Sequence, residues 1–328
     1  MSDNPVVVKN NAFALRGMTS FFVGGGNQRI DLTPSEGVAL AMGSEKRSLE
    51  QTGDYQAGQM YVQGYLAADQ NGLPPLLMWH GGGMTGTTWE STPDGRPGWV
   101  ELALRDHFDV YVSDAVERGR ASFPPNAITG LHAVFRPKEL AWRIFRMGPE
   151  GGYASRPDAR RPFANQRFPV SSYDTFANQF VARWPALAPL VKTAYSEYID
   201  MFEKTIIVAH SQGCGYAQEV ALSHPDRVRA VILVEPSGSP TDRSAQSVRR
   251  LKTVPHLVIW GDFFEQSPVW QDYRQTVDTY LDALRAADVP VDVIDLPAQG
   301  IRGNSHFPMM DDNSADVWRI ISDWIRHL

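Results

Sequence analysis

Residues 204–223 read KTIIVAHSQGCGYAQEVALS. Thr205 to Ala209 is a short apolar run rich in β-branched residues, the pattern of a buried strand. From Gln212 the periodicity turns helical, with Ala217, Val220 and Ala221 on one face. Between them, Ala209-His210-Ser211-Gln212-Gly213 matches the strand-to-helix nucleophile elbow G-x-S-x-G, with Ala for the first Gly. Such a turn is so sharp that its central residue is strained, and bulky residues two positions away would collide with strand or helix. It lifts the Ser211 hydroxyl out of the sheet. It also leaves the backbone N–H groups at the helix start, Gln212 first, open to an anion. Five residues alone also fit an ordinary βα turn, so the flanking strand and helix, and the partners elsewhere in the chain, carry the reading.

A serine hydroxyl needs a base beside it, and a histidine held by a carboxylate supplies one. In alternating strand–helix chains of this kind the order is Ser, acid, His, each at the carboxyl end of a strand. His306 fits: it follows the last strand candidate, lies in the loop Gly300-Ile301-Arg302-Gly303-Asn304-Ser305-His306 and precedes the final helix. Two acids fit by position, Glu235 after the strand that follows the elbow helix, and Asp262 after the next, and position alone leaves both open. Upstream, the apolar run Leu76-Leu77-Met78-Trp79 enters His80-Gly81-Gly82-Gly83. A glycine run there supplies the second oxyanion-hole donor beside the N–H of Gln212. Gly82 is the first choice and Gly83 the second.

The remaining strand candidates are Met18–Val23, Gln59–Ala67 (an antiparallel edge strand by its alternation), Phe108–Ser113, Val228–Val234, His256–Trp260 and Val291–Leu296. Helix candidates are Trp99–His107, Tyr173–Trp184, Leu187–Phe202, Trp270–Ala287 and Ser314–His327, with an irregular arm over residues 1–16. Strands alternating with helices predict an α/β protein with a mostly parallel sheet flanked by helices. From Phe123 to Val170 the character changes to Pro, Gly, aromatics and arginines, with one short helix around Pro137 to Arg146. The segment reads as a lid inserted between residues 1–122 and 171–328 of one core. Its eight basic and three acidic residues read as a solvated, ion-paired surface, with attraction of an anionic substrate as the alternative.

The chain has 328 residues, 43% of them hydrophobic, enough for a large core. A net charge of −6 implies no general affinity for nucleic acid or anionic lipid. No apolar run reaches membrane-spanning length, and the N-terminus lacks a basic start followed by a long apolar core, so no membrane insertion and no signal peptide are expected. Localisation is cytoplasmic by default, and periplasmic or secreted if a signal has been removed. The single cysteine, Cys214, excludes an internal disulfide and reads as a small buried apolar residue. No H-E-x-x-H or similar ligand cluster is present, so no metal is expected.

The chain resembles the α/β-hydrolase superfamily on HGGG (80–83), the D-x-x-G-x-G-x-S-like loop Asp114 to Ser122, AHSQG (209–213), Glu235-Pro236 and SHFPM (305–309). More closely, it resembles the bacterial esterase 713 type, with its HSQG elbow, a glutamate after the next strand and a G-N-S-H loop. That resemblance implies the glutamate at 235 as the triad acid. Asp262 is then an exposed turn or cap residue. It further implies hydrolysis of a small-molecule ester through a Ser-His-Glu triad and an acyl-enzyme, with no cofactor and as a homodimer. The alternatives are a serine hydrolase acting on an amide, lactone or carbon–carbon bond, and a non-catalytic ligand-binding protein of the same fold.

Overall fold

The computed structural model describes residues 13–121 and 133–328. The first ten residues of the expected lid, and most of the expected N-terminal arm, therefore lie outside the described residues. The strands are β1 (Leu15–Ile30), β2 (Ser35–Val38), β3 (Arg47–Leu49), β4 (Gly53–Ala67), β5 (Leu76–Trp79), β6 (Val110–Asp114), β7 (Thr205–His210), β8 (Val228–Val234), β9 (His256–Trp260) and β10 (Val291–Asp295). Among the described residues, eight of them form one sheet in the order β1-β4-β6-β5-β7-β8-β9-β10. The pairs from β6 through β5, β7, β8 and β9 to β10 are parallel. β1 and β4 add an antiparallel flank.

The apolar runs of β5, β7, β8 and β9 are continuous because both faces of the sheet are covered. All residues of β5, β7 and β9 are buried. Their side chains alternate between two cores. Met78, Ile206, Val208, Ile232 and Ile259 pack with Trp99, Trp142, Phe145 and Trp318 on one face. Leu77, Trp79, Ile207, Ala209, Leu233 and Val258 pack with Tyr195, Tyr198, Ala217, Val220 and Leu281 on the other. The helices Trp99–Arg105 and Ser314–Arg326 cover the first face. Ala188–Asp200, Gln212–Ser223 and Pro268–Ala286 cover the second. Among the described residues no helix is long and apolar enough to cross a membrane.

Four expectations need correction. The first strand runs for 16 residues, from Leu15 through Gly24-Gly25-Gly26 to Ile30, and pairs along nearly its whole length with β4. β4 is thus an inner strand and β1 the edge, and the polar glycine run that looked like a connection is part of the ribbon. The small hairpin of β2 and β3 carried too little alternation to be read. The helix expected over Tyr173–Trp184 ends at Ala177. Beyond it, the N–H of Val181 donates to the carbonyl of Gly83 at 3.0 Å, and Arg183 pairs across a bridge with Val134. Trp184 precedes Pro185 and is extended, at φ −118° and ψ 92°, as a pre-proline residue prefers. Finally, the basic stretch is only partly a solvated surface. Arg156 and Arg143 are ion-paired and exposed, but Arg146 and the side chain of Arg160 are fully buried, and Trp142, Phe145, Met147 and Phe168 belong to the main core.

Candidate active site

The parallel strands deliver their carboxyl ends to one edge of the sheet. β7 ends at His210, and Ser211 follows at φ 52° and ψ −119° before the helix Gln212–Ser223 begins. A non-glycine residue held at positive φ is strained by about 1–3 kcal/mol, and such strain collects at functional sites. The elbow explains its own small residues. A Cβ on Gly213 would lie 2.6 Å from the carbonyl oxygen of His80, so only glycine lets helix and glycine loop approach this closely. Ala209 is fully buried, and Cys214 Sγ donates to its carbonyl at 3.2 Å. Cys214 is itself buried, as expected, and burial pushes its thiol pKa far up, which keeps it an unreactive packing residue.

β8 ends at Val234, and Glu235, fully buried, sits at φ 52°. Its Oε2 accepts a hydrogen bond of 3.0 Å from His306 Nδ1 and one of 2.7 Å from Arg146 Nη2, and its Oε1 accepts from the N–H of Gly261. With the carboxylate holding the proton on Nδ1, the His306 Nε2 carries the lone pair. Ser211, His306, Gly82 and Gln212 line one cavity of about 270 Å³, closed on its other sides by Phe145, Trp270 and Arg183 among others. Among the described residues no hydrogen bond joins Ser211 to His306; in an unliganded site this contact is often long and tightens around substrate. Gly83 is buried and does not border the cavity; it sits at φ 72°, with its carbonyl taken by the N–H of Val181.

Asp262 does not meet His306, nor is it the exposed residue expected. It is half-buried. One oxygen accepts from the N–H of Phe263 at 2.7 Å and the other from the N–H of Gly303 at 2.8 Å. It therefore braces the histidine loop from below. The other end of that loop is held by Asp311, fully buried, which accepts from the Ser305 hydroxyl (2.7 Å), the Ser305 N–H (2.8 Å) and the Asn304 amide (2.9 Å). Burial raises the Asp311 pKa to about 7, against those hydrogen bonds, which lower it.

Three histidines serve the architecture. His210 Nε2 donates to the carbonyl of His306 at 2.8 Å, so the residue before Ser211 also positions the His306 backbone. His80 Nδ1 donates to the carbonyl of Gly81, and its Nε2 accepts from the N–H of Ala115, tying the glycine loop to the end of β6. Asp114, at that end, accepts from Gly86 and from Arg120, which locks the next loop beside it. His256 is buried at the start of β9, with Nδ1 donating to Val254. Burial holds His80 and His256 near about 4, and holds His210 well below the usual range. The His306 pKa also lies well below its ordinary value, first through burial, then through the positive charges of Arg146 and Arg136.

The sequence reading missed Arg146, Asp311 and the positioning role of His210. Arg146 also donates to the carbonyl of Asp262 at 2.7 Å and packs over the rings of Phe264 and Trp270. Its only local signal was its place in an arginine- and aromatic-rich stretch.

Comparison with known proteins follows the same lines. The α/β-hydrolase-fold family matches residues 201–318. The fold superposes on that of a solved bacterial esterase with a TM-score of 0.83 and 30% identity, over 97% of this chain and 98% of the other. A fungal protein named as the probable secreted lipase phiG is 23% identical over 336 residues, spanning 84% of this chain and 87% of that protein.

Proposed function

The chain belongs to the α/β-hydrolase superfamily, and from that premise we propose that it is a serine carboxylic-ester hydrolase acting on small-molecule esters through Ser211, His306 and Glu235. The observation that carries the proposal is the hydrogen bond from His306 to the buried Glu235, in a cavity that also holds a strained serine at a helix start. Ester hydrolysis in the solved bacterial relative, as its name states, supports the choice of bond.

His306 Nε2 takes the proton of Ser211 Oγ as the oxygen attacks the ester carbonyl. Glu235 holds the ring and stabilises the imidazolium that forms. The N–H groups of Gly82 and Gln212 receive the oxyanion, each contributing about 3 kcal/mol to the barrier reduction. Gly82 is favoured over Gly83 because it borders the cavity. His306 returns the proton to the leaving alcohol, then activates the water that releases the acid. Residues 123–170 act as a lid over the two core parts 1–122 and 171–328. Arg136, Ile144 and Phe145 of that segment border the cavity, which supports this division. Hydrolysis of p-nitrophenyl butyrate by the wild type, and its loss in Ser211→Ala, is the expected outcome. Retained turnover in the variant refutes the nucleophile.

A further inference from the structure

Among the described residues, the catalytic cavity is lined by two arginines, Arg136 and Arg183, and by no carboxylate. Arg136 donates from Nη1 to the carbonyl of Gly82 at 2.9 Å and lies over the ring of Phe145, 4.7 Å from its centre. Arg183 approaches from the other side: its Nη1 lies 3.1 Å from the point where a side chain on Gly82 would begin. Neither guanidinium forms an ion pair among the described residues. The segment 122–132, next in sequence to Arg136, contains neither Asp nor Glu. The nearby Arg118 pairs instead with Glu117, at 2.9 Å. Burial first, and then the positive charge of Arg183, press the Arg136 pKa down to about 10, so it stays charged near neutral pH. Two half-buried like charges with no ion-pair partner among the described residues are costly, and such groups are normally paired. Here the missing counterion would sit in the space where substrate enters.

We propose that Arg136 and Arg183 select an ester that carries its own carboxylate, such as the half-ester of a dicarboxylic acid or an ester of a hydroxy or phenolic acid. The proposal rests on the hydrolase reading and names its substrate class. A planar guanidinium matches a carboxylate with two parallel donors, and a charge-assisted bond is about twice as strong as a neutral one. The second half of the ester has a place as well. A more apolar groove of about 540 Å³, lined by Pro189, Tyr216 and Gly215, shares Gln212 and Ser237 with the catalytic cavity.

Two matched pairs of esters test this. On the acyl side, p-nitrophenyl hemiglutarate is compared with methyl p-nitrophenyl glutarate. On the alcohol side, 4-carboxyphenyl butyrate is compared with 4-(methoxycarbonyl)phenyl butyrate. The readout is the ratio of kcat/KM within each pair, so a general loss of activity leaves it unmoved. In the wild type at least one pair favours the carboxylate by about tenfold or more, and the preference shrinks as salt rises. Arg183→Gln and Arg136→Gln bring that ratio towards one, and Arg183→Lys keeps most of it. Ratios near or below one in both pairs, or ratios unchanged in both Gln variants, overturn the proposal. No turnover of any of the four esters, together with no labelling of Ser211 by a fluorophosphonate, overturns the hydrolase reading instead.

Discussion

Replacing Arg146 by Gln removes a fixed positive charge from beside the His306–Glu235 pair while keeping a donor for Glu235. Arg146 Nη2 and His306 Nδ1 share one oxygen of Glu235, at 2.7 and 3.0 Å, so the two nitrogens lie less than about 6 Å apart. Two unit charges about 6 Å apart, at an effective dielectric constant of about 20, repel by about 3 kcal/mol, equivalent to about 2 pKa units. The guanidinium opposes the imidazolium, so it lowers the His306 pKa, in the direction given by its surroundings. With the neutral ring as the proposed base, activity is lost as pH falls through that pKa. In the wild type the acid limb of kcat/KM therefore lies well below pH 6.5. In Arg146→Gln it moves up by about 1–2 pH units, and in Arg146→Lys, which keeps the charge, it stays. The assay is a pH profile of p-nitrophenyl acetate hydrolysis, read at the isosbestic wavelength of nitrophenol. An acid limb unmoved in Arg146→Gln, or moved equally in both variants, refutes the electrostatic coupling.

Other outcomes follow from the same geometry. Glu235→Gln leaves His306 without an anionic partner and lowers kcat by about 10³–10⁴-fold. Asp262→Asn, which loosens the Gly303 brace only, costs about tenfold or less, and steady-state kinetics on the two variants separates the roles. His256 stays neutral when folded but takes up a proton below pH 6.5 when unfolded, so its burial makes stability fall as pH drops from 6.5 towards 4. His256→Gln flattens urea-measured stability against pH by about 1.4 kcal/mol per pH unit across that window. Gly213→Ala pushes a methyl group against the His80 carbonyl and lowers stability by about 1–3 kcal/mol, seen as a lower denaturation midpoint and a weaker oxyanion site.

The parts of the molecule legible in the sequence are those whose cause is local. The elbow showed itself because a β-branched run, a small–Ser–small turn and a helical period meet within twenty residues, 204–223. The buried strands β5, β7, β8 and β9 were readable because burial on both faces leaves a continuous apolar run. The placement of His306 in the loop between the last strand and the last helix was readable from the same alternation of elements. What failed was non-local. The glycines at 24–26 sit in a ribbon held by β4, a partner some thirty residues away, so their loop-like composition misled. Phe180 to Trp184 leaves the helix because Gly83 and Val134 supply hydrogen bonds from distant segments. Arg146 looked like one more basic residue of the lid. Its burial against Glu235 depends on two segments separated by 89 residues, and no local pattern encodes that. Asp262 and Glu235 were equivalent by position, and the side-chain hydrogen bonds distinguish them only in three dimensions.

The central claim is that Ser211 is an activated nucleophile. The most direct measurement is intact mass and peptide mapping of the native protein after exposure to a fluorophosphonate. A single adduct on Ser211 is expected, formed rapidly in the native protein, slowly in His306→Ala and absent in Ser211→Ala. A native protein that remains unlabelled, or an adduct on any residue other than Ser211, contradicts the account.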